Sequence, residues 1–395
     1  MPYIDIGRRV TSVDLLRGLV MLLMALDHVR DFWSIAPFSP TDLSQSTPAY
    51  FFTRWITHFC APVFVFLSGL SVWLHRQNYK LSAPRLSGFL ITRGLWLIFI
   101  EITLISFVWQ FSFQLLILQV IWAIGCSMLV LALLVFLPST LAGFFGLALI
   151  MFHNTLDGVI VDTPNWLAGL WSILHVMSTL PIQFTSFNGI AVVYPLIPWI
   201  GVMALGYSLG PLFELPAHRR DRRLRWIGCC AITMFVLLRG FNLYGDPGLS
   251  SADAPWNAHG RNALYAFMSF LNTSKYPPSL LYLLMTLGPA LLLVPLLERW
   301  RGTGAKVVTV FGRVPFLFYI LHLYLIHFSA NLWLGLEYGV WNIAPFDPST
   351  WPPGLQPNLT RAYLVWVITC WLLYWPCRAF MRLRQRSNKA WLSYL

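Results

Sequence analysis

The segment "DLLRGLVMLLMALDHVRDFW", residues Asp14–Trp33, decides the class of fold. It is mostly apolar, and about 20 such residues in a helix are needed to cross the hydrocarbon core of a bilayer. Four ionisable side chains nevertheless stand near its end: Asp27, His28, Arg30 and Asp31. Because hydrocarbon penalises such groups, they indicate a helix that faces a protein interior or a polar cavity.

The rest of the chain has the same apolar character. Of its 395 residues, 57% are hydrophobic and only 11% are charged, whereas a soluble domain has about 25% charged residues. The 19 Trp, 29 Phe and 15 Tyr residues suit interfacial belts and lipid-facing surfaces. The sequence therefore predicts an all-α polytopic membrane protein.

Ten apolar runs are candidate membrane spans, and because the fifth is short the number could become nine or eleven. They are residues 14–33, 52–75, 88–108, 114–136, 139–153, 190–212, 226–243, 279–298, 308–332 and 361–380. No internal repeat and no separate soluble domain is visible in the sequence. We expect one transmembrane domain over residues 1–395, with the first apolar segment retained as an anchor.

The basic residues indicate the orientation. With the N-terminus in the cytoplasm, 21 of the 27 Lys and Arg residues lie inside or at the inner ends of helices, as the positive-inside rule requires. We therefore expect both termini in the cytoplasm. The net charge of +12 comes from short basic segments such as "HRRDRRLR", residues 218–225, and no nucleic-acid motif is present. The six cysteines have no ligand spacing, so neither a disulfide nor a metal site is expected.

Three longer segments would then lie outside, at about 154–189, 244–278 and 333–360. Loops of this length often form lids or binding surfaces, although simple surface cover is an alternative. Stretches such as "WNAHGRNALY", residues 256–265, could stack on sugar faces, and Lys275 is a candidate substrate-binding residue in this region.

Four titratable side chains on four different helices are expected at one depth. A rise of about 1.5 Å per residue puts His28 roughly 21 Å from the cytoplasmic start of the first helix. His322 and Glu101 lie at similar levels in their own helices, and His58 approaches the same plane from the outer end. Such groups usually mark a pathway or a site, but for His58 and Glu101 a hydrogen bond between helices is an equal alternative.

The neighbours of His28 favour proton-transfer chemistry. Asp31 shares its helix face at a spacing of three residues, and Asp27 lies four residues before Asp31. A carboxylate beside an imidazole sets its tautomer and raises its basicity, as a general base requires. His28 could instead accept the acyl group as a nucleophile. Arg30 could neutralise a carboxylate or bind an anionic group of a substrate.

A second charged set is expected at the cytoplasmic ends of the helices. Asp14 and Arg17 open the first helix, Arg93 lies near the start of the third, and Arg313 follows Gly312 in the ninth. Arginine binds phosphates through bidentate hydrogen bonds, so these residues could line a phosphate-binding mouth. A helix cap at Ser12 or Asp14 and a local ion pair of Asp14 with Arg17 are equal alternatives.

These residues carry a resemblance to a known family. The segment "SVDLLRGLVMLLMALDH", residues 12–28, resembles the signature of the transmembrane acyltransferase superfamily, in particular its bacterial heparan-alpha-glucosaminide N-acetyltransferase-like group. His28 matches the histidine in the R-x10-H pattern of the related acyltransferase-3 proteins, whereas the heparan-type members often have Asn there. Three further stretches resemble later family helices: "FCAPVFVFLSGLSVWL", "YPLIPWIGVMALGYSLG" and "FGRVPFLFYILHLYLIH", residues 59–74, 194–210 and 311–327.

The resemblance implies a bundle of about ten transmembrane helices around a central pore, in the bacterial inner membrane. It implies an acyltransferase that moves an acyl group, commonly acetyl, from cytoplasmic acetyl-CoA to an extracytoplasmic glycan or other polar acceptor. The reacting group of the acceptor would be a sugar hydroxyl or amine. Whether the chain forms a homo-oligomer is left open.

The expected roles follow the two charged sets. His28 would remove the acceptor proton with support from Asp27 or Asp31, while His322 or Tyr319 would assist at the thioester; an acyl-histidine route is also open. The residues expected to hold CoA are Arg17, Arg93, Arg313 and Asp14, and those expected to contact the acceptor are His58, Glu101, Arg30, Tyr319 and Lys275. A proton-coupled transporter that uses the intramembrane histidines is the alternative, although the repeated halves typical of transporters are not seen. A non-catalytic structural role is a further alternative.

Overall fold

The computed structural model describes residues 10–159, 161, 165–180, 189–246, 256 and 262–387. A π-helical segment, Glu101–Ile105, joins α4 to α5, and short 3-10 helices lie at His153–Leu156, Gly210–Glu214 and Pro348–Thr350. The α-helices are α1 (Thr11–Trp33), α2 (Pro48–Thr57), α3 (Cys60–Asn78), α4 (Ala83–Ile100), α5 (Ser106–Val108), α6 (Val120–Leu134), α7 (Ser139–Phe152), α8 (Asn165–Leu174), α9 (Leu196–Ser208), α10 (Ala217–Gly240), α11 (Ala263–Leu271), α12 (Leu280–Leu297), α13 (Thr303–Arg313), α14 (Pro315–Tyr338) and α15 (Leu359–Arg386).

Seven helical stretches of the described residues are long and apolar enough to cross a membrane, which makes the chain an integral membrane protein. They are Pro48–Asn78, Ala83–Val108, Ser139–Leu156, Leu196–Glu214, Leu280–Leu297, Pro315–Tyr338 and Leu359–Arg386. The ten predicted spans are thus confirmed only in part. Helices α1 and α10 have the length but carry several charges, and α6 is apolar but only 15 residues long. The orientation and the central pore stay predictions.

A small sheet departs from the predicted all-helical fold. Leu115–Leu118, expected to begin the fourth span, forms strand β1, which pairs in parallel with β3 (Gly189–Val192). Strand β2 (Ser178–Leu180) pairs antiparallel with the other edge of β3, so the strand order is β1-β3-β2. A short apolar run such as "LLIL" suits a buried strand as well as a helix, and pairing with β3 satisfies its backbone groups.

Glu101 caps the helix that follows β1. Its two carboxylate oxygens accept hydrogen bonds from the backbone N–H groups of Gln119 and Trp122, at 2.9 and 3.1 Å. The first N–H groups of a helix have no partner within the helix, and a carboxylate there is also favoured by the helix dipole. The buried carboxyl group of Glu101 is therefore matched by the start of α6.

Helices α1 and α13 cross with their backbones in contact. A Cβ atom on Gly312 would lie 1.8 Å from the carbonyl oxygen of Asp14, and one on Gly18 would lie 2.1 Å from that of Val308. Membrane helices approach this closely only through small residues. The crossing therefore brings the start of α1 beside Arg313 at the end of α13.

The predicted ninth span, 308–332, is two helices that meet at Val314. The backbone of Val314 has φ −129° and ψ 50°, outside the helical region, and Pro315 begins α14. A residue before proline is disfavoured in helical conformation, so Pro315 explains the break. The break separates Arg313 from the apolar part of α14.

Candidate active site

His28 of α1 and His322 of α14 lie in direct contact. Nδ1 of His28 is 2.7 Å from Nε2 of His322. The ring centroids are 4.9 Å apart and the ring planes are inclined by 14°, so the two rings meet edge to edge. The sequence predicted these residues at one depth, and the structure brings them together as a hydrogen-bonded pair.

The hydrogen bonds determine which ring nitrogens of this pair carry a proton when both rings are neutral. Nδ1 of His322 is 2.9 Å from the carbonyl oxygen of Phe318. A carbonyl oxygen can only accept, so Nδ1 of His322 carries the proton and its Nε2 is an acceptor. Nδ1 of His28 then donates to that Nε2. The remaining nitrogen of His28, Nε2, carries a lone pair and has no hydrogen-bond partner among the described residues.

Aromatic side chains surround the histidine pair. The ring of Trp109 meets His28 edge-on at 5.2 Å, and that of Tyr319 lies 6.5 Å away. The indole N–H of Trp109 and the hydroxyl of Tyr319 are buried, and neither has a hydrogen-bond partner among the residues that the structure describes. Buried unpaired donors call for a physical explanation, and a bound substrate oxygen would provide one. Trp109 was not predicted, because one Trp among 19 carries no distinguishing signal.

The two carboxylates predicted to support His28 bind cations instead. Asp27 accepts from Nη1 of Arg54 at 2.7 and 2.5 Å and lies 2.8 Å from Nη1 of Arg30. Asp31 accepts from Nη2 of Arg30 at 2.6 Å. Neither Asp27 nor Asp31 is hydrogen-bonded to His28 in the structure as described. The orientation of the His28 ring comes instead from its hydrogen bond with His322, which is itself held by the backbone carbonyl of Phe318.

A cavity of about 660 Å³ opens beside this ion cluster, and we name it the Lys275 cavity. All three long segments predicted to lie outside contribute to its wall, through Met177, residues 272–276 and residues 345–346. Its lining includes five charged residues and one histidine: Arg30, Asp31, Arg54, Asp246, Lys275 and His58. Of the predicted loop stretch 256–265, residues 257–261 lie outside the described residues.

Arg239 of α10 holds the loop that carries Lys275. It donates to the backbone carbonyls of Ser269, Phe270 and Asn272 at 2.8 to 3.1 Å and pairs with Asp246 at 3.2 Å. Burial raises the pKa of Asp246 to about 6, although Arg239 opposes the change. Neither residue was predicted, because their pairing depends on the folded loop.

A second cavity, of about 300 Å³, is lined by four arginines, and we name it the arginine cavity. The four are Arg17, Arg93, Arg313 and Arg384. Asp14 lies in the same wall, 3.4 Å from both Arg17 and Arg313. The structure therefore gathers all the residues predicted to hold CoA. Arg384 was missed because the last span was expected to end at residue 380, whereas α15 continues to Arg386.

The histidine pair lies between the two cavities along α1. Arg17 and His28 are separated by about 16 Å of helix, and Asp31 in the wall of the Lys275 cavity is about 4.5 Å further on. On α14, Phe316 lines the arginine cavity and His322 is about 9 Å beyond it. The lone pair of His28 is therefore nearer to the Lys275 cavity than to the arginines.

The sequence also matches a known protein family. The family model described as Heparan-alpha-glucosaminide N-acetyltransferase, catalytic, matches residues 9–240, more than half of the chain. The chain belongs to this family. The predicted family is thus confirmed, and membership implies acyltransferase activity in a membrane. No curated protein matches the chain.

The match to the heparan-alpha-glucosaminide N-acetyltransferase family covers one part of the site. It includes the residues contributed by α1 to α10, among them Arg17, His28 and Arg93. His322, Arg313 and Arg384 follow the matched range. The residues that α13, α14 and α15 contribute are therefore assigned to the site from the structure of this chain and not from the family match.

Glu101 and His58 differ in what they face. Both oxygens of Glu101 are engaged by backbone groups of α6, so its expected contact with the acceptor stays a prediction. His58 lines the Lys275 cavity, and its Nδ1 is buried with no hydrogen-bond partner in the described ranges. Among the described residues, no group of three or more His, Cys, Asp or Glu side chains is arranged to hold a metal ion.

Proposed function

We propose that this protein transfers an acetyl group from cytoplasmic acetyl-CoA to a hydroxyl or amine of a glycan acceptor on the other side of the membrane. The observation that carries the proposal is the hydrogen-bond chain from the Phe318 carbonyl through His322 to His28. It leaves one imidazole lone pair available between an arginine-rich cavity and a second polar cavity. A general base for acyl transfer needs such a lone pair.

The arginine cavity suits the phosphates of CoA. Among the described residues of its lining, four guanidinium groups stand against one carboxylate, that of Asp14, which gives this lining a positive excess. Arginine recognises phosphate through paired hydrogen bonds. With the phosphates held there, the flexible arm of the donor would extend along α1 and present the thioester near His28. In the proposed orientation, with both termini inside, this cavity faces the cytoplasm.

The acceptor would enter through the Lys275 cavity and react at His28. Nε2 of His28 removes the proton of the attacking hydroxyl or amine. The acceptor atom then bonds to the acetyl carbon and the carbon–sulfur bond breaks, and the proton passes from His28 to the leaving thiolate. Trp109 and Tyr319 would donate hydrogen bonds to the carbonyl oxygen as it becomes negative, which is the kind of stabilisation that lowers such barriers most.

Replacing His28 tests this function. With the purified protein, radiolabelled acetyl-CoA and a panel of simple sugars and amino sugars, His28→Ala should lower acetyl transfer at least about 100-fold, because a general base contributes that much or more. The matched control is His218→Ala, which removes an exposed histidine of α10 and should leave the rate unchanged. Stabilisation by acetyl-CoA should persist in both variants. Wild-type transfer by His28→Ala would overturn the mechanism.

A further inference from the structure

The Lys275 cavity has an excess of positive charge. Asp27 is shared by three cations, since Nζ of Lys275 lies 3.8 Å from the same carboxylate that binds Arg30 and Arg54. The other two carboxylates each have their own cation, Arg30 for Asp31 and Arg239 for Asp246. The cluster has four cations and three carboxylates: Arg30, Arg54, Arg239 and Lys275, with Asp27, Asp31 and Asp246.

One positive charge of this buried cluster therefore has no counter-ion among the described residues. Arg30 and Lys275 are 5% and 9% exposed, so water compensates little of the excess. A buried charge without a counter-ion is unfavourable. Lys275 makes the longest contact to Asp27 of the three cations and lines the cavity, so it is the group best placed to meet an anion that enters.

His58 is a second, independent indication of a ligand. It is 2% exposed, it lines the same cavity, and its Nδ1 has no hydrogen-bond partner within the described parts of the chain. An unpaired polar nitrogen of this kind can donate its proton to an oxygen atom of a bound molecule. Together with Lys275 it provides two donors for one anionic group.

If the protein acetylates an acceptor in this cavity, as proposed above, the charge excess selects the chemical class of that acceptor. We infer that the acceptor is an acidic sugar whose carboxylate binds Lys275 and His58, and that a hydroxyl of this sugar receives the acetyl group. A carboxylate carries the single negative charge that the cluster lacks. A sugar amine is largely protonated near neutral pH, as an α-amino group with a pKa of about 7.7–8.0 would be, so it would add to the positive excess.

The reaction at a hydroxyl balances without a further reactant. The hydroxyl oxygen bonds to the acetyl carbon, the carbon–sulfur bond of acetyl-CoA breaks, and the hydroxyl proton passes through Nε2 of His28 to the thiolate. The products are an O-acetyl ester and free CoA. The carboxylate of the acceptor takes no part in the bond changes and serves for recognition.

Three acceptors that share one ring separate the alternatives: methyl glucoside, methyl glucuronoside and methyl glucosaminide. With full-length protein in nanodiscs and saturating acetyl-CoA, we expect kcat/KM for the glucuronoside to exceed that for each of the others about tenfold or more, as charged hydrogen bonds allow. The product should be an ester that hydroxylamine cleaves. Added salt should reduce the preference to the extent that the cavity is open to solvent.

Variants at Lys275 show whether the cavity causes the preference. Lys275→Gln should reduce the ratio of kcat/KM for the glucuronoside to kcat/KM for the glucoside to near one. Lys275→Arg should keep most of this preference. His58→Ala, which leaves the Asp27 cluster intact, should also lower this ratio. Lys306→Gln, which removes an exposed lysine outside the lining of either cavity, should not change it.

Failure of this inference and failure of the proposed function give different results. Equal rates with all three sugars, or fastest transfer to the glucosaminide, would overturn the inference and leave the acetyltransferase function standing. Faster transfer to glucose 6-phosphate than to the glucuronoside would overturn the carboxylate assignment. If no sugar is acetylated, thermal stabilisation decides: greater stabilisation by the glucuronoside than by the glucoside, abolished in Lys275→Gln, supports anion recognition, and its absence overturns it.

Discussion

His322 is a positioning residue in the proposed reaction, because it acts on the acceptor only through His28. His322→Ala would leave Nδ1 of His28 without an acceptor and allow the wrong tautomer. We expect kcat to fall about 100-fold or more, the order of loss seen when a base loses its orienting partner, with little change in KM for acetyl-CoA. His322→Gln should restore part of the rate, because its amide oxygen can accept from His28.

The comparison of these two variants separates positioning from packing. A residue needed only to fill space would give losses that follow side-chain volume, and the pH dependence of kcat would be unchanged. Equal activity in His322→Ala and His322→Gln, or a wild-type rate in His322→Ala, would contradict the role. Steady-state kinetics across pH is the measurement.

Asp246 makes stability depend on pH at the wall of the Lys275 cavity. Burial raises its pKa to about 6, above the ordinary value of about 3.9. A raised pKa means that the folded state prefers the protonated carboxyl. Its contribution to stability is therefore full below about pH 4 and is lost as the pH rises through about 6, by roughly 3 kcal/mol.

Asp246→Asn removes this titration. We expect the apparent Tm of the variant, relative to the wild type, to increase from pH 4 to pH 7, and a thermal-melting series in detergent measures it. Asp347→Asn is the matched control, because Asp347 is exposed. If the difference in apparent Tm between Asp246→Asn and the wild type stays constant from pH 4 to pH 7, Asp246 does not titrate in that range.

At single residues, the sequence predicts depth but not the direction in which a side chain faces. His28 and His322 share a level and meet, whereas Glu101 was assigned to the same level and turns to the start of α6. Rotation of a helix about its axis depends on packing with its neighbours, which one sequence does not reveal. The ion pairs of Asp27 were not predicted for a similar reason, because Arg54 and Lys275 come from other parts of the chain.

Among the helices, the crossing of α1 and α13 supports the arginine cavity. Gly312→Ala would force a methyl group against the carbonyl of Asp14, at a Cβ distance of 1.8 Å. Overpacking of this kind costs about 1–3 kcal/mol. The same change should weaken acetyl-CoA binding, because Arg17 donates to the Gly312 carbonyl at 3.2 Å. Thermal melting with and without acetyl-CoA measures both effects.

Gly88→Ala is the matched control for this helix crossing. Gly88 lies in α4, and a Cβ atom there would meet nothing within 4 Å. Alanine is favoured over glycine inside a helix, so this variant should be as stable as the wild type or more so. If Gly312→Ala melts at the wild-type temperature, the contact between the two backbones is not as close as the structure has it.

The differences between predicted and observed elements have identifiable physical causes. The run from residue 114 reads as one helix, but β1 finds a partner in β3 more than 70 residues later, and no local pattern announces that pairing. Helix α15 continues past its apolar part because arginines are also good helix formers. That extension delivers Arg384 to the arginine cavity.

At the scale of the whole molecule, charge is divided between two cavities with a histidine pair between them. The division was predictable, because the sequence has one set of charged residues at the start of the first helix and a second set near its end. The shapes of the cavities were not predictable, since they depend on how α1, α13, α14 and α15 pack. An enzyme with this arrangement need not move CoA across the membrane.

Vesicles test this sidedness. With the protein reconstituted into liposomes, a mixture of neutral, amino and acidic sugars sealed inside and acetyl-CoA added only outside, we expect acetylated sugar to form inside while all CoA thiol is released outside. Charged CoA cannot cross the lipid, so the two products can separate only if donor and acceptor reach His28 from opposite sides. Vesicles with His28→Ala protein should form neither product. Transfer that occurs only when acetyl-CoA and sugar share one compartment would contradict the two-sided arrangement, because both substrates would then enter through the same cavity.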